Sequence, residues 1–422
     1  MPARAASLPL LLLLALGAAH GSQYDQCFQK PSNEAGALNI GQRWGDPSPT
    51  ATLNIDLHKV TSAASSFEYR TFDPEGVIFY GDTSPGTDWF VLGLRGGKLE
   101  MQIHNSVTNI SITNISFSGE EGINDGRWHQ IMVKNEGDSV VLALDGDGLL
   151  TVSKVSHAII GHPFPEMRIG VGGLLIPQKD LLIPMNTAMD GCLRRWNWLN
   201  TSSSWLEGAS LEGEGIKACF ASIRQGSFFP GDGLASFLLS GFPSGLRHDN
   251  ESWSLAVELL LSAGRQVGTF LAVSPSEQAP ILSLKLQHTD VVAQLGSKMV
   301  LQTPLPMTGC QGSDLLLRIT SDQLTLRLGS HETAEPVPKA DFEALRHLWL
   351  SGVGRLFIGG FPGQGEAPQP QEGGFFRGCL HDIRVQGLKL DLDSAEYRSN
   401  AIWAHSCPGK EDLDLGSTDR AD

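Results

Sequence analysis

Two short acidic turns are the first places where this sequence could do chemistry. Asp73-Pro74-Glu75-Gly76 sets two carboxylates two residues apart, and hard oxygen donors of that kind suit Ca²⁺. Two carboxylates alone do not fill such a shell, and on these four residues by themselves a plain acidic turn is the favoured reading. Asp145-Gly146-Asp147-Gly148 begins like an EF-hand loop but lacks the later ligands, so a hairpin turn fits better. Gly93-x-x-x-Gly97-Lys98 is too short for a phosphate loop and is followed by Leu99 rather than Ser or Thr. Gly352-x-Gly354 lacks its third glycine. In Gly241-Phe242-Pro243-Ser244-Gly245 the serine sits one place late for a nucleophile elbow. The histidines form no spaced cluster, and the expectation is a protein that is not an enzyme.

The cysteines point to an oxidising compartment. The chain starts with Arg4, an apolar run from Leu8 to Leu16, and the small residues Ala19-His20-Gly21, the pattern of a secretory leader over residues 1–21. No later stretch is apolar for long enough to span a bilayer, so no membrane insertion is expected. All six cysteines, Cys27, Cys192, Cys219, Cys310, Cys379 and Cys407, follow the leader, and an even count in a secreted chain suggests disulfides. Asn109, Asn114, Asn200 and Asn250 open Asn-x-Ser/Thr sequons, candidates for glycosylation on exposed turns.

The elements that must position these groups read as strands. Phe67–Phe72 alternates and ends in the turn at 73–76. Val77–Tyr80 is a buried-strand run, and Trp89–Leu92 and Leu99–Ile103 flank the turn Arg95-Gly96-Gly97-Lys98. Val140–Leu144 and Leu149–Val152 flank the hairpin at 145–148. No segment offers a long face of period 3.6. The chain also repeats: Met167–Gly173 precedes Asp190-Gly191-Cys192-Leu193 as Arg355–Gly360 precedes Arg377-Gly378-Cys379-Leu380. Cys192 lies 27 residues before Cys219 and Cys379 lies 28 before Cys407, so two homologous modules, each stapled near its end, explain the spacing. The expected organisation is an irregular N-terminal arm at 22–50, modules at 51–222 and 228–408, and a flexible acidic tail at 409–422.

Composition agrees with an all-β chain. Of 422 residues only 18% are charged, whereas 48 are glycine and 23 proline. With 31 basic against 46 acidic side chains the formal charge is −15, which disfavours nucleic acid and anionic lipid as partners.

Asp125-Gly126-Arg127-Trp128-His129-Gln130, the late Gly-Gly strand and the (Asp/Arg)-Gly-Cys-Leu staple resemble the laminin G-like family. Ser65–Glu68, Phe72–Thr83, Asp88-Trp89-Phe90 and Trp403–Cys407 are similar to its tandem-module sex-steroid carriers. The resemblance implies two laminin G-like jelly-roll β-sandwiches in tandem and a dry pocket for androgens and oestrogens in the first. It carries over Ser65 as donor to the oxygen on the steroid A ring, Asp88 and Asn105 as partners of the D-ring hydroxyl, and Phe90, Ile103, Val133 and Met167 as walls. Asn135 stands where those carriers have methionine, and His157–Pro163 matches a loop over the pocket mouth. The resemblance also implies structural calcium on Asp73, Glu75 and the Ala188 carbonyl, with no counterpart at Arg265–Gly268. The family's zinc site is not supported, because Ser106 and Phe164 replace its histidines and His104 and His162 are out of register. It implies a homodimer formed through the first module, for which Leu149 and Leu150 lie on a candidate edge strand. Cys27 and Cys310 could pair with each other, pair between chains or stay free; the even count favours the first. The competing reading is an extracellular adhesion or receptor-binding laminin G-like protein, for which the acidic charge is unfavourable where the partner is a sulfated glycan.

Overall fold

The computed structural model describes residues 34–409, apart from 42–43, 45–47, 61–63, 85–87, 106–109, 113–121, 137–138, 154–165, 200–209, 212–216, 247–251, 265, 276–278, 298, 307–311 and 363–373. The leader, Cys27, Cys310, all four sequon asparagines, Ser106, His162, Phe164, the 157–163 loop and residues 410–422 lie outside the described residues.

Short alternating runs pair in antiparallel fashion throughout. The first half contains β1 (Ala37–Asn39), β2 (Ala51–Asp56), β3 (Ala64–Thr71), β4 (Gly76–Ser84), β5 (Asp88–Arg95), β6 (Lys98–Asn105), β7 (Ile110–Ile112), β8 (His129–Asn135), β9 (Ser139–Leu144), β10 (Asp147–Ser153), β11 (Glu166–Val171), β12 (Gly191–Asn197) and β13 (Ser210–Leu211). They form one sheet in the order β1-β12-β3-β8-β9-β10 and another in the order β13-β2-β11-β4-β5-β6-β7. Gly96 and Gly97 both have positive φ, as a two-residue hairpin turn requires, and they join β5 to β6. Asp145 and Gly146 do the same between β9 and β10. The 145–148 segment is therefore the hairpin that its sequence suggests.

The second half contains β14 (Ile223–Gln225), β15 (Ser227–Pro230), β16 (Ala235–Leu238), β17 (Leu255–Ser262), β18 (Val267–Ser274), β19 (Leu282–Gln287), β20 (Asp290–Leu295), β21 (Met299–Pro304), β22 (Ser313–Ile319), β23 (Gln323–Leu328), β24 (His331–Pro336), α1 (Lys339–Ser351), β25 (Arg355–Ile358), β26 (Arg377–Val385), β27 (Leu388–Lys389), β28 (Tyr397–Arg398) and β29 (Ser406–Pro408). Its sheets run β15-β26-β17-β22-β23-β24 and β21-β20-β19-β18-β25-β16-β28. Apart from the extra edge strands β13 and β28, both orders copy those of the first half strand for strand. The repeat is thus a repeat of topology: two sandwiches in tandem, each with its own apolar core. The disulfides Cys192–Cys219 and Cys379–Cys407 close the two staples.

Two expectations need correction. The arm before residue 50 is not wholly irregular: β1 pairs with β12, and Leu38 and Ile40 enter the first core. The chain also contains a helix of more than three turns. Phe342, Leu345, Leu348 and Trp349 recur at helical spacing and are buried against the second core, and Gly352, with φ 68°, caps the C-terminus. The run is short and its Leu-Trp-Leu end mimics a strand, which hides the period.

Candidate functional site

Strand alternation decides which side chains of the first sandwich face inward. On β5 and β6, Leu92, Leu94, Leu99 and Met101 belong to the core, so Asp88, Phe90 and Ile103 share their face by the two-residue period. Register pairs Asp88 with Asn105 and Phe90 with Ile103 directly. Met167 continues the same sheet on β11 and is buried. On the facing sheet Ser65 shares the side of Phe67 and Tyr69, and it pairs with Val133, which packs on the core. Asn135 follows Val133 with the same parity. The fold thus puts Ser65 and Val133 on one inner face and Asp88, Phe90, Ile103 and Met167 on the other. Asn105 is placed here by its backbone only. His104 points the opposite way and lies over the Trp89 ring at 5.5 Å.

Ser65 is only 4% exposed. Its Oγ accepts the Leu199 amide proton at 3.2 Å. Aromatic contacts bridge the two sheets beside it: Phe67 meets Phe79 edge-on at 5.6 Å, Phe79 meets Phe90 at 5.9 Å, and Trp198 lies parallel to Phe90 at 6.4 Å. Trp196 and Trp198 are buried beside this group, and the expected wall residues did not include them. The sequence signal was the alternation Trp196-Asn197-Trp198 after the Cys-Leu staple.

A second polar cluster lies at the junction of the sandwiches. The Asp73 carboxylate is enclosed and accepts the Glu75 amide at 3.1 Å and the Asp190 amide at 2.9 Å. Facing it are His405, 3.6 Å away, and Asp393, which His405 bonds at 2.9 Å. Asp73, Asp393 and His405 bring ligand-type atoms within 4.8 Å of one another. Asp190 Oδ2 accepts from the His405 amide (2.8 Å), the Ser406 amide (2.9 Å) and the Ser406 hydroxyl (2.8 Å). Burial opposes charge on His405, but Asp73, Asp393 and Asp391 outweigh it and push the imidazole up to about 10. Burial likewise pushes the Asp73 carboxyl up. On Asp393 the effect of burial is overcome by Arg398 and His405, which hold it below the usual carboxylate range. No spacing rule reveals this cluster, because Asp73 belongs to the first sandwich and its two partners to the second.

Comparison with known proteins identifies the lineage. The laminin G domain family matches residues 69–203. Sex hormone-binding globulin of Crocuta crocuta is 36% identical over 413 residues, spanning 97% of this chain and 96% of that protein. The chain belongs to the sex hormone-binding globulin family. The Homo sapiens sex hormone-binding globulin is 37% identical over 360 residues, covering 85% of this chain and 84% of that one. Among solved structures, domains LG4-5 of the mouse laminin alpha1 chain share the fold, with a TM-score of 0.62 and 18% identity over 91% of this chain and 99% of that chain. Laminin alpha2 LG1-3 gives a TM-score of 0.51 and 15% identity over 89% of this chain and 66% of that chain.

Against the calcium expectation for this sex hormone-binding globulin relative, the structure places the acidic turn beside the Ala188 carbonyl. Gly76, with φ 155°, leaves room there, since a Cβ would collide with that oxygen. Hard oxygens converge there, but the Asp73 carboxylate already faces the His405 imidazole at 3.6 Å, so a divalent cation on this turn would compete with that charge. Glu75 is the less available ligand: its carboxylate already accepts the Asn186 amide at 2.9 Å and pairs with Arg95 at 3.4 Å.

Proposed function

We propose that this chain is a secreted carrier that reversibly binds androgens and oestrogens between the sheets of its first sandwich, within a module spanning 51–222. Membership in the sex hormone-binding globulin family supports it, and the observation that carries it is Ser65, a nearly enclosed hydroxyl on the inner face of an otherwise apolar wall. A steroid is a rigid apolar slab with an oxygen at each end. Burial of its rings, at about 25 cal/mol per Å², drives affinity, and the polar ends set orientation. Asp88, when ionised, accepts from a ring hydroxyl, and Asn105 donates back to the same oxygen, so that end favours a hydroxyl over a ketone.

The second sandwich supports a single site per chain. Five residues back from its hairpin, the pair equivalent to Phe90–Ile103 is Leu282–Leu295, both fully buried. Helix α1 packs Phe342 against Trp253 at 5.4 Å and Trp349 against Phe242 at 5.6 Å. These aromatic pairs extend the apolar core of the second sandwich.

Three further assignments belong to the same reading. Asp73, Glu75 and the Ala188 carbonyl would hold a structural Ca²⁺, which supplies charge neutralisation at the turn. Strand β10, at the end of its sheet and carrying Leu149 and Leu150, would pair with a second copy to form the homodimer. Asn109, Asn114, Asn200 and Asn250 would carry glycans. Equilibrium dialysis with tritiated dihydrotestosterone tests the carrier reading. Binding by the native chain, weakened about tenfold or more by Ser65→Ala and by Asp88→Ala with melting unchanged, is expected. Absence of saturable binding by the native chain overturns it.

A further inference from the structure

At the junction of the sandwiches, one ring nitrogen is surrounded by more carboxylates than its single proton can serve. Asp391 opens a 3-10 turn, Leu392–Ser394, and its Oδ1 accepts the Asp393 amide at 2.9 Å. The turn thereby sets two carboxylates beside His405, just ahead of β29. Three oxygens then stand around His405 Nε2: Asp393 Oδ2 at 2.9 Å, Asp391 Oδ1 at 3.5 Å and Asp73 Oδ1 at 3.6 Å. One N–H serves one acceptor well, and Asp393 takes it. The other two oxygens are too far for a good hydrogen bond to the same nitrogen. Their spacing suits a metal instead. Ligand atoms about 2.0–2.2 Å from a zinc ion lie about 3.3–3.6 Å apart at tetrahedral angles. Asp391 and Asp73 already meet that spacing from Nε2, and Asp393 has to open by only about half an ångström. Each main ligand is also held from behind. Asp190 Oδ2 accepts the His405 amide, Arg398 lies 2.6 Å from the other Asp393 oxygen, and the Glu75 and Asp190 amides fix the Asp73 carboxylate.

We infer that His405, Asp393 and Asp73, completed by Asp391 or water, form a zinc site that ties the two sandwiches together. Ligand-type atoms of the first three already lie within 4.8 Å of one another. Asp73 comes from the first sandwich and the other residues from the second, so an ion here is a crosslink across the junction. The site shares only Asp73 with the calcium turn, and it differs in kind: Zn²⁺ takes an imidazole nitrogen, whereas Ca²⁺ takes oxygens. None of its residues belongs to the proposed steroid wall. The imidazole binds the ion in its neutral form, so the Nε2 proton leaves to solvent as the ion enters. The ion therefore replaces the proton and does not oppose it. The carboxylates that draw one positive charge to this point draw two more strongly. A way in exists as well. The His405 side chain is 16% exposed and that of Asp391 49%, whereas those of Asp73 and Asp393 are 2% exposed. The rim of the site is thus open to solvent and its floor is closed.

The test uses the full-length chain, stripped of metal with a chelator and titrated with Zn²⁺ by calorimetry without added calcium. Saturable binding of one zinc ion per chain is expected, and the bound ion should slow proteolysis between Cys219 and Phe228. His405→Gln should weaken zinc binding by about a hundredfold or more. Asp391→Asn, which keeps the oxygen that caps its turn, should weaken it by about tenfold. His331→Gln removes an exposed histidine of β24 and should change nothing. Should His405→Gln fail to fold, Asp391→Asn and the stoichiometry still decide. A native chain that binds no zinc, binding that His405→Gln and Asp391→Asn leave at native strength, binding lost with His331→Gln, or bound zinc that gives no protection at the link overturns the inference. The carrier reading stands apart from all of these outcomes, because it is tested by steroid binding alone.

Discussion

Replacing Asp190 by alanine removes one carboxylate oxygen and leaves three donors of the second sandwich without their acceptor: the His405 amide, the Ser406 amide and the Ser406 hydroxyl. Asp190 is itself 3% exposed, so water does not readily replace it. Each stranded buried donor costs about 1–3 kcal/mol, and breaking a buried charged network by removing one partner costs about 3–5 kcal/mol in total. A loss of about 4 kcal/mol follows, placed at the junction because the Asp190 backbone still bonds Asp73 and Thr71. The remaining junction contacts include the Asp73–His405 pair, the Trp44 amide bond to the Asn400 side chain, the Lys217 bond to the Ile402 carbonyl, the Trp403 indole bond to the Ala218 carbonyl and the Phe220–Phe228–Trp403 group. The Asp73–His405 pair loses the anchor on the His405 amide, so the junction loosens once Asp190 is gone. Limited proteolysis should therefore cut Asp190→Ala between Cys219 and Phe228 well before the native chain, and its thermal transition should divide into two. The two sandwiches should keep their separate cores, so dihydrotestosterone affinity should change little. Identical cleavage rates and a single unshifted transition in Asp190→Ala would refute the view that this carboxylate holds the junction.

His405 makes the junction dependent on pH. Its folded value is pushed up to about 10 from 6.5, so its contribution is complete below about pH 6.5 and fades as pH rises toward 10, and melting followed from pH 6 to 10 should fall more steeply for the native chain than for His405→Gln. Gly76→Ala places a methyl group against the Ala188 carbonyl at a backbone angle that favours glycine, and should cost about 1–3 kcal/mol and weaken calcium binding, both readable by calorimetry. Leu345→Ala in α1 empties a fully enclosed site and should destabilise the second sandwich by about 2–5 kcal/mol in urea titration, with steroid binding by the first sandwich unaffected.

Features made by neighbours along the chain are legible in the sequence itself. The hairpins at 95–98 and 145–148 follow from glycine and aspartate at positions needing positive φ, and the two staples from matched cysteine spacing within a repeated strand pattern. The pairing of Asp88 with Asn105 follows from one short hairpin once its turn is placed, because an antiparallel register propagates outward from the turn. Helix α1 escapes a reading by period, because its short run gives barely two repeats of the apolar face and ends in a strand-like triplet.

Tertiary structure alone decided the rest. Whether Trp196 and Trp198 face the core depends on a one-residue bulge at Arg195, in the pairing of β12 with β3, and a period of two cannot reveal where it slips. Whether Ser65 meets Leu199, or Asp73 meets His405 and Asp393, depends on how strands far apart in sequence are stacked. Local patterns encode which side of a strand is apolar. They carry no record of what lies across the sandwich or across the junction, because those contacts arise only when both faces are buried together.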